Sequence, residues 1–260
     1  MKLLKKFLQL FIRNLNVFFF RKKLPTKIAI YFHDLEEKDF ADIKTIIKFF
    51  KYLDYEFCTI DNFSKNIKNN HLQIALTFDD GFSSWTKTVD LFEQENVKAT
   101  FYLNSIFFED NSNLDKFFKN INSKGTEKLI NIAEVYTLID KGHQIGSHSH
   151  SHQTLSRLTQ SDFEYEIKKN LEILNNLKVD LNSFAIPFGM RRYLTKQQFK
   201  YLKKIFHTIC YGEPGMLFNH TPEKIQRYPW LSEKSFLFNL NNISTNTSIF
   251  NNLTKRSGLG

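Results

Sequence analysis

Cysteine is scarce in this chain. Cys58 and Cys210 stand alone and far apart in 260 residues, which excludes a disulfide framework and leaves no cysteine-rich metal module. Both read as small apolar core residues, a single long-range disulfide being the alternative. Proline is also scarce, five in all, so no proline-rich linker divides the sequence, and no internal repeat does so either. One generous domain fits the length, since α/β barrels of about 250 residues are ordinary. Long apolar runs are missing. The apolar stretch at the N-terminus is broken by Arg13 and Asn14, well short of the roughly 18 residues that a membrane span needs. No small-residue cleavage pattern follows it, and Arg21, Lys22 and Lys23 come instead, which argues against a signal peptide. Acidic residues are in deficit: 27 Asp and Glu face 36 Lys and Arg, a net charge of +9. Such a balance suggests an acidic partner, the alternative being a Lys- and Asn-rich surface that is merely solvated. Nucleic acid is not the expected partner, because the chain has no arginine-rich groove helix, zinc finger or aromatic RNA-binding signature.

Phenylalanine is abundant. Twenty-eight Phe and a hydrophobic fraction of 42% supply an ample core. Near the N-terminus Leu4, Phe7, Leu8, Phe11, Leu15 and Phe18 recur at helical spacing, while Lys2, Lys5, Lys6, Gln9, Arg13 and Asn16 fall largely on the other face. Residues 1–23 therefore read as a basic amphipathic helix suited to the headgroup region of an anionic membrane. A helix packed on the domain's own core and an uncleaved signal-anchor are the alternatives. A membrane-associated protein of the cell envelope, with the side of the membrane open, is the resulting expectation. The remaining divisions are a catalytic domain over 24–245 and a polar tail over 246–260.

Strands alternate with helices after Pro25. The pattern predicts strands at Lys27–Phe32, Glu56–Ile60, Gln73–Phe78, Ala99–Leu103, Ser183–Ile186 and Phe206–Tyr211, with Gln144-Ile-Gly leading into a histidine cluster. Helices are predicted at Phe40–Leu53, Trp85–Gln94, Ile130–Lys141, Phe163–Leu177 and Thr195–Lys204. This alternation implies a parallel sheet, in which ligands gather at the carboxyl ends of the strands. His33, Asp79, Asp80, His148 and Pro187 all follow predicted strands. The polar stretch from Asn104 to Thr126 reads as an excursion over the rim.

Two adjacent carboxylates, Asp79 and Asp80, end a short apolar run. On an extended segment neighbours point in different directions, so one can bind a cation while the other faces a substrate. Gly81 permits a sharp exit; an ordinary Asp-Asp-Gly turn is the plainer reading. Seventy residues on, His148 and His152 are four apart, and one helical turn would bring both rings to one side. Two imidazoles and a distant carboxylate make a three-ligand metal site with open positions, as catalysis requires. His150 is offset from that face. A polar histidine loop is the alternative.

Thr77-Phe-Asp-Asp-Gly81, His148-Ser-His-Ser-His152 and Ala185-Ile-Pro-Phe-Gly189, in that order, resemble the polysaccharide deacetylases of carbohydrate esterase family four. Tyr31-Phe-His33, Tyr55-Glu-Phe-Cys-Thr-Ile60, Ala99-Thr-Phe-Tyr-Leu103, Gly142-His-Gln-Ile-Gly-Ser-His148 and Glu213-Pro-Gly215 extend the resemblance over roughly Lys27 to Trp230. It implies a distorted (β/α) barrel of seven parallel strands, and metal-dependent hydrolysis of an N-acetyl or O-acetyl group on a sugar. Asp80, His148 and His152 would then be the metal ligands and Asp79 the general base acting on the water at the metal. A backbone N–H near Phe188, fixed by Pro187 and Gly189, would join the metal in stabilising the oxyanion. Zinc is the default ion, although cobalt, nickel or manganese suit the same donors.

Two departures from the family pattern matter. Ala185 stands where many members carry the arginine that orients the base. Arg191, Arg192 and Arg227 are candidate substitutes, with Arg227 favoured because the branch lacking that arginine often has one there. The late Leu-x-Leu-His that supplies a general acid is also missing. The branch resembling poly-N-acetylglucosamine deacetylases takes this acid from an early strand end, where His33 stands; His207 and His220 are weaker options, read as surface residues. The expected partner is an N-acetylated glycan or a lipid-linked amino-sugar. The contrasting expectations are a glycan-binding barrel without turnover and a metal-dependent phosphoester hydrolase.

Overall fold

The computed structural model describes residues 24–109, 114–213 and 220–244; the amphipathic segment 1–23 and the whole polar tail 246–260 lie outside them. Among the described residues, nine strands form one all-parallel sheet. In chain order they are β1 (Lys27–Phe32), β2 (Glu56–Phe57), β3 (Gln73–Phe78), β4 (Thr100–Leu103), β5 (Gln144–Ser147), β6 (Ser183–Ala185), β7 (Thr208–Tyr211), β8 (Lys224–Gln226) and β9 (Tyr228–Pro229). The helices are α1 (Glu37–Tyr52), α2 (Ile60–Lys65), α3 (Val89–Gln94), α4 (Leu114–Asn120), α5 (Ile132–Asp140), α6 (Gln160–Leu174) and α7 (Lys196–Leu202). A further helix covers 236–244.

The sheet curls into a nearly closed barrel, and one segment closes it. β8 pairs with β7 and β9 pairs with β1. They are two halves of one stretch, broken at Arg227, whose N–H donates to the Tyr211 carbonyl while Trp230 N–H donates to Tyr31. Counting that stretch once, seven positions ring the barrel; β2 stands beside the start of β3 and is not part of the ring.

Side chains alternate between the two faces, as a parallel barrel demands. Ile28, Ile30 and Phe32 of β1, with Ile74, Leu76 and Phe78 of β3, face the helices, where Ile43, Ile46, Ile47 and Phe50 of α1 form the matching stripe. Phe78 stacks on Phe101 at 4.8 Å between centroids, and Trp85 and Phe92 complete this aromatic layer. Each such ring contributes roughly 1.5–3 kcal/mol by burial. The opposite positions, Ala29, Ala75, Ala185, Cys210, Ile225 and Tyr102, cluster separately. Small residues there make room for Tyr102: a Cβ on Gly146 would lie 2.4 Å from its ring. Cys58 and Cys210 are buried free thiols.

Several expected elements are shifted. The strand predicted to reach Ile60 stops at Phe57, because Thr59 takes an extended conformation and caps α2. The predicted helix Trp85–Gln94 is a 3₁₀ stretch at Ser83–Thr88 followed by α3. The Asn104–Thr126 excursion contains α4, which buries Phe117, and its Phe107 ring covers Gly81. No helix of the described residues is long and apolar enough to cross a membrane.

Candidate active site

The site lies at the carboxyl ends of the strands. Asp79 leaves β3 with its N–H on the Phe32 carbonyl. Asp80 then turns left-handed at φ +82 and Gly81 follows at φ +79. That reversal sends the two carboxyl groups to different partners. Asp is among the few side chains that tolerate this backbone.

Asp80, His148 and His152 converge, with one ligand atom from each lying within 4.8 Å of the others. Oδ1 of Asp80 is 3.3 Å from His148 Nε2 and 3.2 Å from His152 Nε2. All three are buried. His148 follows β5, and its Nδ1 lies 2.8 Å from the Ala185 carbonyl. That contact requires a proton on Nδ1, which leaves Nε2 as the nitrogen that faces Asp80. The expected helical turn between the two histidines is absent. The segment is a loop in which Ser149 and His152 are left-handed, at φ +64 and +55, and it is this double reversal that aims both rings at Asp80.

The donor set fits a divalent cation. Asp80 Oδ1 is buried, and no hydrogen-bond partner meets it in good geometry, an arrangement that is costly for an oxygen unless a cation meets it. Burial opposes the charge on Asp80, but His152 and His148 hold its carboxyl well below the usual range. Burial likewise pushes His152 down to about 4, keeping its ring neutral as a ligand must be. Among the described residues this is the one cluster of three such groups.

Asp79 points to a different partner. Arg227, 1% exposed, grips it with two parallel bonds, Nη1 to Oδ1 at 2.7 Å and Nη2 to Oδ2 at 2.8 Å, and also donates to Thr77 Oγ1 at 3.0 Å. Its guanidinium sits between the Tyr31 and Tyr102 rings, 5.0 and 5.1 Å from their centroids. Burial would raise the Asp79 pKa, but Arg227 and His148 outweigh it and hold the carboxyl below its usual range. With Ala185 on β6, the arginine that grips the base comes instead from the closing stretch. Arg191 and Arg192 are exposed, and Arg192 lies over the Tyr193 ring.

A cavity of about 520 Å³ opens over these groups, lined among others by His33, Asp79, Asp80, His148, His152 and Phe188. His33 stands at its mouth with a side chain 55% exposed, Nε2 3.9 Å from Asp80 Oδ2. Phe188 is left-handed at φ +61, with its ring 4.6 Å from that of His152. Its N–H has no partner among the described residues. Pro187 precedes it, and Gly189 lets the backbone approach Gly212, whose Cα would lie 2.6 Å from an added Cβ.

Other histidines turn away. His150 is buried against Ser105 Oγ at 2.9 Å and Glu109 at 3.4 Å. His207 is exposed. His220, expected at the surface, instead packs on Phe63 and accepts from Gln226 N–H at 3.3 Å, outside the cavity lining. Glu166 and Asn170 of α6 went unmarked in the sequence, although they place two polar side chains in an apolar helical stripe. That interruption was the available signal.

Comparison with known proteins agrees with this geometry. The sequence profile of the family described as Polysaccharide deacetylase matches residues 66–204, just over half of the chain. A peptidoglycan-N-acetylglucosamine deacetylase of Bacillus cereus is 34% identical over 120 residues, 45% of this chain and 36% of that protein. A chitin deacetylase of Arthroderma benhamiae is 33% identical over 103 residues, 39% of this chain and 23% of that protein. The chain thus spans about a third or less of the length of these relatives. Among solved structures, a Streptococcus pyogenes deacetylase in complex with acetate shares the fold, with a TM-score of 0.64 at 15% identity, covering 84% of this chain and 97% of the other.

Proposed function

The chain belongs to the polysaccharide deacetylase family, and from that membership we propose that it hydrolyses the N-acetyl group of an amino-sugar in a glycan. One observation carries the reading. The Asp80–His148–His152 cluster faces the same cavity as Asp79, a carboxylate gripped by a buried arginine and so held ionised at neutral pH. A binding barrel needs no such base beside a set of metal donors.

Asp80, His148 and His152 would hold a divalent cation, zinc by its usual ligands. Such a cation supplies positive charge that polarises a carbonyl oxygen and makes a water more acidic. Asp79 accepts a proton from the water that attacks the acetyl carbonyl carbon. Arg227 fixes the plane of that carboxylate. The Phe188 N–H donates to the oxygen that becomes anionic on attack. His33 Nε2 gives a proton to the departing nitrogen, the C–N bond breaks, and acetate and a free amine leave.

The test is acetate release from N-acetylated oligosaccharides and lipid-linked amino-sugars by the metal-loaded protein. Asp79→Asn should bind metal normally and lose about 10²–10⁴-fold in kcat. Glycan binding without acetate from any donor would favour a binding barrel instead. The basic amphipathic sequence of residues 1–23 supports a place at an anionic membrane surface of the cell envelope. Co-sedimentation with phosphatidylglycerol vesicles should exceed that with neutral vesicles and fall when residues 1–23 are removed; equal binding to both vesicle types would refute this placement.

A further inference from the structure

Helix α6 carries Phe163, Glu166, Ile167, Asn170 and Leu174 on its buried face. Glu166 and Asn170, 2% and 0% exposed, are one turn apart and therefore project side by side. Both reach the same target, the loop that bears His148 and His152. Glu166 Oε2 accepts the Ser151 N–H at 2.8 Å, and Oε1 accepts Ser151 Oγ at 2.5 Å and Gln153 Nε2 at 2.9 Å. Asn170 Nδ2 donates to the Ser149 carbonyl at 2.7 Å and the Leu103 carbonyl at 3.1 Å, while its Oδ1 accepts from Ser147 Oγ at 2.6 Å. Asn104 adds a bond to the His148 carbonyl.

Within the loop, the side-chain bonds of Glu166 and Asn170 fall on residues 147, 149, 151 and 153, which flank the two histidines. Neither Nε2 that faces Asp80 takes part in them. Ser149 and His152 are left-handed, a backbone that side-chain-bearing residues hold only where surrounding contacts impose it. The imposed conformation is what turns both rings toward Asp80. Side chains of one helix thus hold the histidine loop on both sides of each ring.

We propose that Glu166 and Asn170 are positioning residues for a divalent cation at Asp80, His148 and His152, acting by locking the histidine loop in its left-handed conformation. The inference rests on the metal site of the proposed function and deepens it. Glu166→Gln preserves shape but replaces one carboxyl oxygen by a donor, which must face either the Ser151 N–H or the Ser151 and Gln153 donors.

The experiment uses the full chain and reads metal binding. Affinity for Zn²⁺ is measured by competition with a chromophoric chelator, Co²⁺ coordination by its visible absorption, and Tm on the metal-free proteins. Leu174→Ala, on the same helix but in the main aromatic core, serves as the comparison for a purely structural loss. Glu166→Gln should weaken Zn²⁺ binding about 10- to 100-fold and alter the Co²⁺ band. Leu174→Ala should lower Tm yet keep Zn²⁺ affinity within about twofold of the parent. Unchanged Zn²⁺ affinity in Glu166→Gln overturns the inference, as does an equal loss of affinity in Leu174→Ala. A parent protein that takes up neither Zn²⁺ nor Co²⁺ overturns the metal reading itself, and that result is visible before any variant is made.

Discussion

Arg227 does two jobs that a lysine could not. Its planar fork matches both oxygens of Asp79, and its faces lie against Tyr31 and Tyr102; an ammonium offers neither two parallel bonds nor a flat surface. Arg227→Lys should therefore fold and bind metal, yet lose about 10- to 100-fold in kcat through a poorly held base. Arg227→Ala should be worse in kind. It leaves Asp79 buried without its counter-charge, which costs about 3–5 kcal/mol, readable as a lowered urea midpoint. A lysine variant with parental kcat would show that orientation of Asp79 is not limiting. At this level the chemistry-bearing residues announce themselves by type and spacing: two carboxylates at a strand end and a histidine pair. The grip of Arg227 on Asp79 has no local signature, because 148 residues of chain separate the two and only barrel closure joins them. Glu166 and Asn170 showed only as polar breaks in an apolar helical stripe, a fainter signal than a motif.

Among the elements, β1 and β3 were the most legible, six-residue runs buried on both faces of the sheet. The closing stretch was the least. β8 and β9 are three and two residues long, with Pro222 just before them and Pro229 within, a composition that reads as loop. They are strands because open edges of β7 and β1 stand ready to pair with them. The junction of α5, β4 and β5 carries a pH-sensitive contact. His143 packs between Phe92 and Phe101, and its Nδ1 accepts the Ala99 N–H at 3.2 Å. Burial, with help from Lys98, lowers its pKa from 6.5 to about 4. The unfolded chain takes up this proton near pH 6.5 and the folded chain only near 4. Between those values the unfolded state binds more protons, so stability falls as pH drops, by up to about 3 kcal/mol in total. His143→Asn keeps an acceptor for Ala99 without titrating, and should flatten the stability curve between pH 6.5 and 4. An unchanged slope in that variant would place the acid sensitivity elsewhere, with His220, whose pKa burial also lowers to about 4, the next group to examine.

The molecule as a whole divides its cohesion between two regions. The large aromatic core between sheet and helices touches the site cavity at its edge, through Phe82, whereas the barrel mouth buries Asp79, Asp80 and Arg227 together, two negative charges against one positive. A divalent cation would offset the surplus negative charge and meet the bare Oδ1 of Asp80. Chelation should therefore loosen the mouth without unfolding the domain. A ligand present at 100 times its Kd adds about 2.7 kcal/mol to stability, and a domain of this size moves by about 2–4 °C for each kcal/mol. Stripping the metal should accordingly lower Tm by about 5–10 °C and leave the far-UV circular dichroism spectrum unchanged, with full recovery when Zn²⁺ is restored. His152→Ala, which removes one donor, should show almost none of this metal-dependent shift. Collapse of the spectrum on chelation would mean that the cation is part of the folding core. That outcome would contradict the separation of site from core, because the strands that lead into Asp80 and His148 would then depend on the ion for their pairing.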